Sequence, residues 1–206
     1  ESIEAIESWK LTGTLSSYLT GEEITGEFAE VAERPDRRRI DMVIEGSRIV
    51  RSILGDRGWA SSQGQVVDMS IEETEAMWRT SMSDPLMILG LLAGDSTDVR
   101  YGGTDERGGR TVAILQWVRD RGRPARIYFD AEGHTLQALE QIEPAPGGRG
   151  EVSVLRFYGE PRNVGPIVYP FRVTMLINGA RAFEQNVAEL ELDAPVSDEI
   201  FRRPVQ

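Results

Sequence analysis

Few side chains in this 206-residue chain could carry out catalysis. It has no cysteine, and its single histidine, His134, falls in a predicted turn, Glu132-Gly133-His134. No serine lies in a Gly-x-Ser-x-Gly sequence, the elbow that exposes the nucleophile of many hydrolases. A catalytic nucleophile needs a base and an orienting group beside it, and a histidine in a solvated loop is poorly placed to provide either. The sequence therefore favours a protein that is not an enzyme.

The 34 Asp and Glu residues supply many carboxylates, but their spacing selects no site. Glu72, Glu73 and Glu75 fall in the first turn of a predicted helix, where negative charge is favourable beside the free backbone N–H groups. No pair is set apart for glycoside hydrolysis, which needs two carboxylates flanking one bond. The other acidic candidates are expected in loops or a hairpin turn: Asp95, Asp98, Asp105 and Glu106. We predict no metal site and no cofactor.

Binding of an apolar ligand is the remaining chemistry that the residue types suggest. Met69, Met77, Met82 and Met87 are four of the six methionines, and their unbranched, polarizable side chains adapt to irregular ligands. The other candidates for lining such a site are Met42, Ile44, Trp59, Trp78, Leu86, Leu89 and Leu92. The alternative is that these residues close a dry core, as buried aromatic residues usually do. The residues alone favour that alternative.

Two helices are predicted at about 70–93. Ser70 and Glu73 have capping-box spacing, in which each side chain bonds the other residue's free backbone N–H, and this indicates a helix over 70–82. Asp84-Pro85 then starts a short, very apolar helix at 85–93, since proline is well tolerated in a first helical turn.

Alternation of apolar and polar residues elsewhere predicts antiparallel strands joined by hairpins. A turn at Arg34-Pro35-Asp36 precedes alternating runs at 40–45, 48–54 and 59–69, and Asn178-Gly179 marks a late hairpin. We interpret residues 1–8 as the end of an N-terminal helix, and residues 159–170 as a proline- and glycine-rich crossing between strands.

About ten or eleven strands follow in sequence order, which predicts a mainly β (α+β) fold. A sheet of that size should curl, so we expect a curved antiparallel sheet that forms an incomplete barrel, covered by a helical lid at about 70–93. The segment at 144–150 resembles a linker, but a strand follows at once. Residues 1–206 are therefore expected to form one domain.

The net charge of −11 and the pI near 4.7 argue against nucleic acid as a partner, because phosphates would meet a field of the same sign. No apolar run approaches the roughly 20 residues of a spanning helix, so the chain is not expected to span a membrane. It begins at Glu1 without methionine. We expect a secretory signal peptide to precede it, with an outer-membrane lipid anchor as a further possibility.

Several segments in fixed order resemble one family, the LolA/LolB-like periplasmic lipoprotein carriers, and more broadly the outer membrane lipoprotein-sorting proteins. The resemblance extends over nearly the whole chain. The segments that carry it are Arg34-Pro35-Asp36, Ile53-Leu54-Gly55-Asp56-Arg57-Gly58-Trp59, Asp84-Pro85-Leu86-Met87-Ile88-Leu89, Tyr158-Gly159-Glu160, Gly165-Pro166-Ile167-Val168-Tyr169-Pro170 and Ser197-Asp198-Glu199-Ile200-Phe201-Arg202-Arg203-Pro204.

The resemblance implies an incomplete barrel with a helical lid and an apolar cavity that receives acyl chains. It also implies that Arg34, at the position of the carriers' latch arginine, hydrogen-bonds to the lid and holds it shut. With the resemblance, a cavity is favoured over a dry core. This chain is more acidic than the founding carriers, and its C-terminal half follows the sorting proteins more closely.

These observations lead to a functional hypothesis of a periplasmic carrier or chaperone for lipidated proteins or lipids. Membrane-associated donor and acceptor proteins would be its partners. The alternative is a periplasmic sensory or regulatory module that binds a lipid cue and acts through a protein partner. A third hypothesis is a structural envelope protein with a filled core.

Overall fold

A computed structural model of the protein describes residues 3–94, 98–118, 124–145 and 150–204. Three features discussed above fall wholly or partly outside these ranges: Asp95, the first two residues of the predicted N-terminal helix and most of the segment at 144–150. Within the described ranges, no helix is both long enough and apolar enough to cross a membrane.

The described chain forms thirteen strands and two helices. The strands are β1 (Ser8–Ser17), β2 (Ile24–Glu33), β3 (Arg37–Ile44), β4 (Ser47–Leu54), β5 (Arg57–Ser62), β6 (Gln65–Asp68), β7 (Val99–Arg107), β8 (Arg110–Trp117), β9 (Ala125–Asp130), β10 (Leu136–Pro144), β11 (Glu151–Val164), β12 (Ile167–Ile177) and β13 (Ala180–Leu192). The helices are α1 (Ile71–Ser81) and α2 (Pro85–Ala93), and short 3-10 turns occupy Ile3–Ala5 and Asp198–Ile200.

All thirteen strands belong to one antiparallel sheet in the order β6-β5-β4-β3-β2-β1-β13-β12-β11-β10-β9-β8-β7. Every neighbouring pair is consecutive in sequence except β1 and β13, which join the two halves. The edge strands β6 and β7 do not pair with each other in the described chain, so the barrel is incomplete, and α1 and α2 connect them. The predicted fold class, an open antiparallel sheet with a helical lid, is confirmed.

Three local predictions need correction. The run at 59–69 is two strands, β5 and β6, because Gln63 and Gly64 turn with positive φ angles of 51° and 78°. The sheet has thirteen strands in all, more than the ten or eleven predicted. Residues 3–5 form a 3-10 turn instead of the end of an α-helix. The segment at 159–170 is no crossing, since β11 and β12 continue through it as a hairpin.

The hairpin between β11 and β12 accommodates prolines because it projects beyond its neighbours. Pro161 and Pro170 pair with each other, at one rung of the ladder. The pairing of β11 with β10 ends at Phe157, and that of β12 with β13 ends at Arg172. The two prolines therefore lie on strand edges that make no ladder, the position where a missing N–H is tolerated.

The lid helices and the C-terminal segment pack on opposite faces of the sheet. On one face, α2 joins two apolar clusters: Leu86 packs with residues of β1, β2, β12 and β13, and Ile88 packs with residues of β8 to β11. On the opposite face, the C-terminal segment places Phe201, which is fully buried, over Ser52 and Trp59. We call the first side the lid face and the second the outer face.

We predict that Leu86→Ala lowers the free energy of unfolding by about 2–5 kcal/mol, because Leu86 is 0% exposed and its removal leaves a cavity under α2. Ile71→Ala is the matched control, since Ile71 is 80% exposed on α1 and should change stability by less than about 0.5 kcal/mol. Urea denaturation followed by circular dichroism measures both. Equal losses in the two variants would contradict the placement of α2 on the sheet.

Candidate functional site

The two lid helices begin where the sequence indicates. Ser70 and Glu73 form both bonds of the capping box, with N···O distances of 2.8 and 3.2 Å. Asp84 caps α2 by accepting a hydrogen bond from the Leu86 backbone N–H at 2.8 Å. The junction between the helices, Ser83 and Asp84, is buried at 4% and 7% exposure. The junction between the two helices is therefore packed against the sheet, as the apolar residues of the helices are.

Most of the predicted lining residues meet at the lid face. Met77 and Leu86 are buried there, and Met42 and Met87 are half-buried against the cluster that contains Leu86. The remaining residues on this side are half-buried: Ile44 opposite Gly26, Met69 beside Gly58, Trp78 on α1, Met82 and Leu92 against the cluster of Ile88, and Leu89 on α2.

Trp59 lies on the outer face instead. Its register partner Ser52 points to the same side, and Trp59 Nε1 donates a hydrogen bond of 2.7 Å to the Phe201 carbonyl. Ser52 Oγ donates to the same oxygen at 3.0 Å. Trp59 therefore anchors the C-terminal segment and does not face the lid.

Arg34 reaches from the β2–β3 turn to the lid. Its Nη2 donates to the Leu86 carbonyl at 2.6 Å, and its Nη1 donates to the Ile3 carbonyl at 3.2 Å. The approach is so close that a Cβ at position 90 would lie 2.2 Å from Nη2 and would displace the Arg34 guanidinium from its place. Gly90 is therefore a requirement of this contact, although glycine inside a helix costs about 1 kcal/mol relative to alanine.

The other half of the sheet holds the helix junction through two residues that the sequence did not predict to contact the lid, Tyr158 and Gln141. Tyr158 donates its hydroxyl to the Ser83 carbonyl at 2.7 Å, and Gln141 Nε2 donates to Ser83 Oγ at 3.2 Å. Burial raises the pKa of the Tyr158 hydroxyl, which keeps its proton available for this bond. Tyr158 and Gln141 are 75 and 58 residues from Ser83 in the chain, and no local sequence signal links them.

A buried ion pair lies under the lid on the half of the sheet that carries Arg34. Arg38 Nη2 donates to Glu30 Oε2 at 2.7 Å, and the two residues are 8% and 2% exposed. In the sheet, Glu30 lies opposite Leu11 and Arg38 lies opposite Ala32. Leu11 and Ala32 both belong to the apolar cluster of the lid face. Such a pair needs full hydrogen bonding to offset the loss of hydration of both charges.

Asp84 adds a second carboxyl to this buried region. Burial raises its pKa from 3.8 to about 7, and the neighbouring Glu30 acts in the same direction. The charge of Arg38 and hydrogen bonds from the backbone N–H groups of Leu86 and Met87 oppose the rise. The cap of α2 is therefore a carboxyl that titrates near neutral pH.

Two openings border Trp78. One is a cavity of about 10 Å³ between the sheet and both helices, about the room of one water molecule; its lining includes Trp9, Arg38, Ile53, Trp78, Ser81 and Met87. The other is an open depression of about 340 Å³, lined by Asp36, Gly55, Asp56, Ile71, Thr74, Glu75 and Trp78. At the first opening the lid lies too close to the sheet to admit an acyl chain, so binding there requires the lid to move.

His134 lies exposed in the turn between β9 and β10, at a φ of 52°. This is the turn that the sequence predicts. It takes no part in the lid contacts described above.

An open antiparallel sheet whose two edges are connected by a pair of helices lying on one face defines the class of half-barrel-and-lid proteins. Comparison with solved structures places this chain in that class. A LolA superfamily protein from Nitrosomonas europaea is 11% identical, with a TM-score of 0.64, and the match covers 97% of this chain and 91% of that one. The chain therefore has the LolA-like fold, and the resemblance found in the sequence is confirmed at the level of the fold.

Two further structures agree. A domain named for outer membrane lipoprotein sorting, from Vibrio parahaemolyticus, has a TM-score of 0.63 at 10% identity over 95% of this chain and 89% of that one. A DUF1329 family protein from Desulfovibrio piger has a TM-score of 0.67 at 13% identity over 97% and 91%. No protein-family model and no curated protein matches the sequence.

We predict that Asp84→Asn changes how stability depends on pH. In the wild type the folded state holds the Asp84 proton up to about pH 7 and the unfolded state releases it near pH 4, so stability falls as pH rises through this window and is level above it. The largest slope for one group is about 1.4 kcal/mol per pH unit. Asparagine preserves the cap but does not titrate.

Denaturation of both proteins across this pH range tests the assignment. The stability of the wild type minus that of Asp84→Asn should decrease from about pH 4 to about pH 7. A constant difference would show that Asp84 does not carry the proton.

Proposed function

We propose that this protein is a periplasmic carrier or chaperone that holds the acyl chains of lipidated proteins or lipids between the lid face and the lid. The observation that carries the proposal is α2 itself. It is an almost wholly apolar helix that lies over two apolar clusters and is tied to the sheet by only a few polar contacts. Such a helix can leave the sheet if another apolar surface takes its place.

The energies involved are of comparable size. A neutral hydrogen bond such as that of Tyr158 to Ser83 contributes about 0.5–1.5 kcal/mol net, and a charged one such as that of Arg34 to Leu86 about 1.5–3 kcal/mol. Each buried methylene of a ligand contributes about 0.8 kcal/mol. An acyl chain of a dozen or more methylenes could therefore offset the loss of these contacts and part of the displaced apolar packing.

Arg34 has the role of a latch in this mechanism. Its hydrogen bond to the Leu86 carbonyl connects the β2–β3 turn to α2 and must break when the lid lifts, whereas its bond to the Ile3 carbonyl connects it to the turn at Ile3–Ala5. Met42, Met77, Met87 and Trp78 would then face the ligand. Membrane-associated proteins would deliver the cargo and receive it, and residues 1–206 would act as one domain.

The direct test is mass spectrometry of organic extracts from the protein purified out of its native envelope. We expect lipid or lipopeptide at a stoichiometric level, and none from a heat-denatured sample processed alongside. A protein that is repeatedly empty, and that also fails to bind an added acylated peptide, would contradict the proposal and favour a filled structural core.

We predict that Arg34→Leu accelerates both uptake and release of an acylated peptide, by about tenfold or more, because a charged hydrogen bond that favours the closed lid is lost. Stopped-flow fluorescence with a dansyl-labelled acyl peptide measures the two rates. Arg110→Leu is the matched control, since the Arg110 side chain is 73% exposed on β8. Unchanged rates in a folded Arg34→Leu protein would remove the latch from the mechanism.

A further inference from the structure

Two residues that line the cavity of about 10 Å³ have buried hydrogen-bond donors that nothing in the described part of the protein satisfies. Arg38 and Trp9, 8% and 1% exposed, both line it. Arg38 uses Nη2 to bind Glu30, and its Nε and Nη1 have no partner among the described residues. Trp9 Nε1 is likewise without a partner there. Three donor nitrogens of two residues that line one small opening are thus without a partner, and so is Glu30 Oε1, the acceptor beside Arg38.

Unpaired donors of this kind are uncommon and costly. Buried polar side chains in native proteins are nearly always hydrogen-bonded. Each buried donor without a partner costs about 1–3 kcal/mol of stability, or more when the donor belongs to a charged group. Simple packing gives no reason to retain an arginine and an indole N–H at this position. A ligand atom that accepts hydrogen bonds would supply the reason, and the opening has the size of one such atom.

The charges nearby indicate that this acceptor is not an anion. Glu30 already neutralises Arg38, and Asp84 is close enough to Glu30 for the two carboxyls to influence each other. A carboxylate or phosphate would add another negative charge to a region that excludes water, where like charges repel strongly. A neutral carbonyl oxygen accepts from the same donors without that repulsion.

The surroundings indicate what the carbonyl is attached to. Ala32 and Ile53 lie on the sheet side of the opening, Trp78 and Met87 lie on the helix side, and the charged residues Glu33, Asp36 and Arg37 also line it. A ligand that enters between the apolar side chains must be apolar on one side of its acceptor, whereas the charged residues allow a polar group on the other side. An acyl group, whose hydrocarbon chain begins directly at the carbonyl, has this form.

We propose that Arg38 and Trp9 bind the uncharged carbonyl of an ester or amide, at the point where an acyl chain joins its head group. This inference rests on the proposed function, which it deepens by naming the part of the cargo that is recognised. The protein would prefer acylated molecules both to ethers with the same chain and to free fatty acids.

A matched set of ligands tests the proposal. Monopalmitoylglycerol and monohexadecylglycerol ether differ in the carbonyl group, and palmitate carries a carboxylate in its place. Affinities are measured by displacement of a bound fluorescent acyl probe from the full chain, at mildly alkaline pH and below the ligands' critical micelle concentrations. We expect the ester to bind about tenfold or more tightly than the ether, the range that one or two hydrogen bonds to a charged group supply, and more tightly than palmitate.

Variants assign the effect to the residues. Arg38→Met alone would leave Glu30 buried without a partner, so it is combined with Glu30→Leu, a replacement of an ion pair that proteins often tolerate. The ester and the ether should bind this double variant equally. Trp9→Phe removes one donor, retains an aromatic ring and should lower the preference for the ester over the ether severalfold. If the double variant does not fold, this single variant tests the carbonyl site. Arg156→Met, at a buried arginine that pairs with Glu143, is the control and should retain the full preference.

The outcomes separate the two proposals. Equal binding of ester and ether to the wild type would overturn the carbonyl site and leave the carrier function standing. Tighter binding of palmitate than of the ester would also overturn it, in favour of an anion site. If no ligand displaces the probe, or the probe itself does not bind, the carrier proposal fails and the carbonyl site fails with it.

Discussion

The structure depends on one connection, the pair of helices that leads the chain from edge strand β6 to edge strand β7. The thirteen strands run out from the central pair β1 and β13 to two edges that are not joined in the described chain. The linking segment must therefore cross the lid face, and the apolar residues of α2 make that crossing stable. Because the same residues would have to release the sheet for a ligand, folding and binding compete for one surface.

The polar groups under the lid determine where it is held. The bend at Ser83 and Asp84 is bonded from β10 and β11 by Gln141 and Tyr158, and α2 is bonded from the β2–β3 turn by Arg34. The lid is thus fixed from both halves of the sheet at its middle, whereas Ile71 at the start of α1 is largely exposed. The open depression lined by Ile71 and Trp78 lies at this end of α1.

The sequence predicted the features that depend on local chemistry. Ser70 with Glu73 and Asp84 with Pro85 placed both helix starts correctly, and alternation with glycine turns indicated an open antiparallel sheet. The sequence did not predict the ion pair of Glu30 with Arg38, or the contacts of Gln141 and Tyr158 with the helix junction. A strand position gives no sign of which distant side chain will lie across from it. The sequence wrongly placed Trp59 on the lid face. Alternation separates the two faces of a strand but does not tell which face the lid covers. Burial does not tell either, since the neighbours Ser52 and Ile53 point to opposite faces and both are buried.

The hairpin of β11 and β12 that projects beyond the sheet has a consequence for how the protein meets copies of itself. Its two outer edges are unpaired in the described structure, and an unpaired edge is a template on which another chain can add a strand. Pro161 and Pro170, which pair with each other in this hairpin, have no N–H to donate to an added strand. The charged side chains of Arg162 and Glu160 lie beside Pro161. The projecting ribbon is therefore a poor starting point for β-aggregation, even though both of its outer edges lack a neighbouring strand in the described structure.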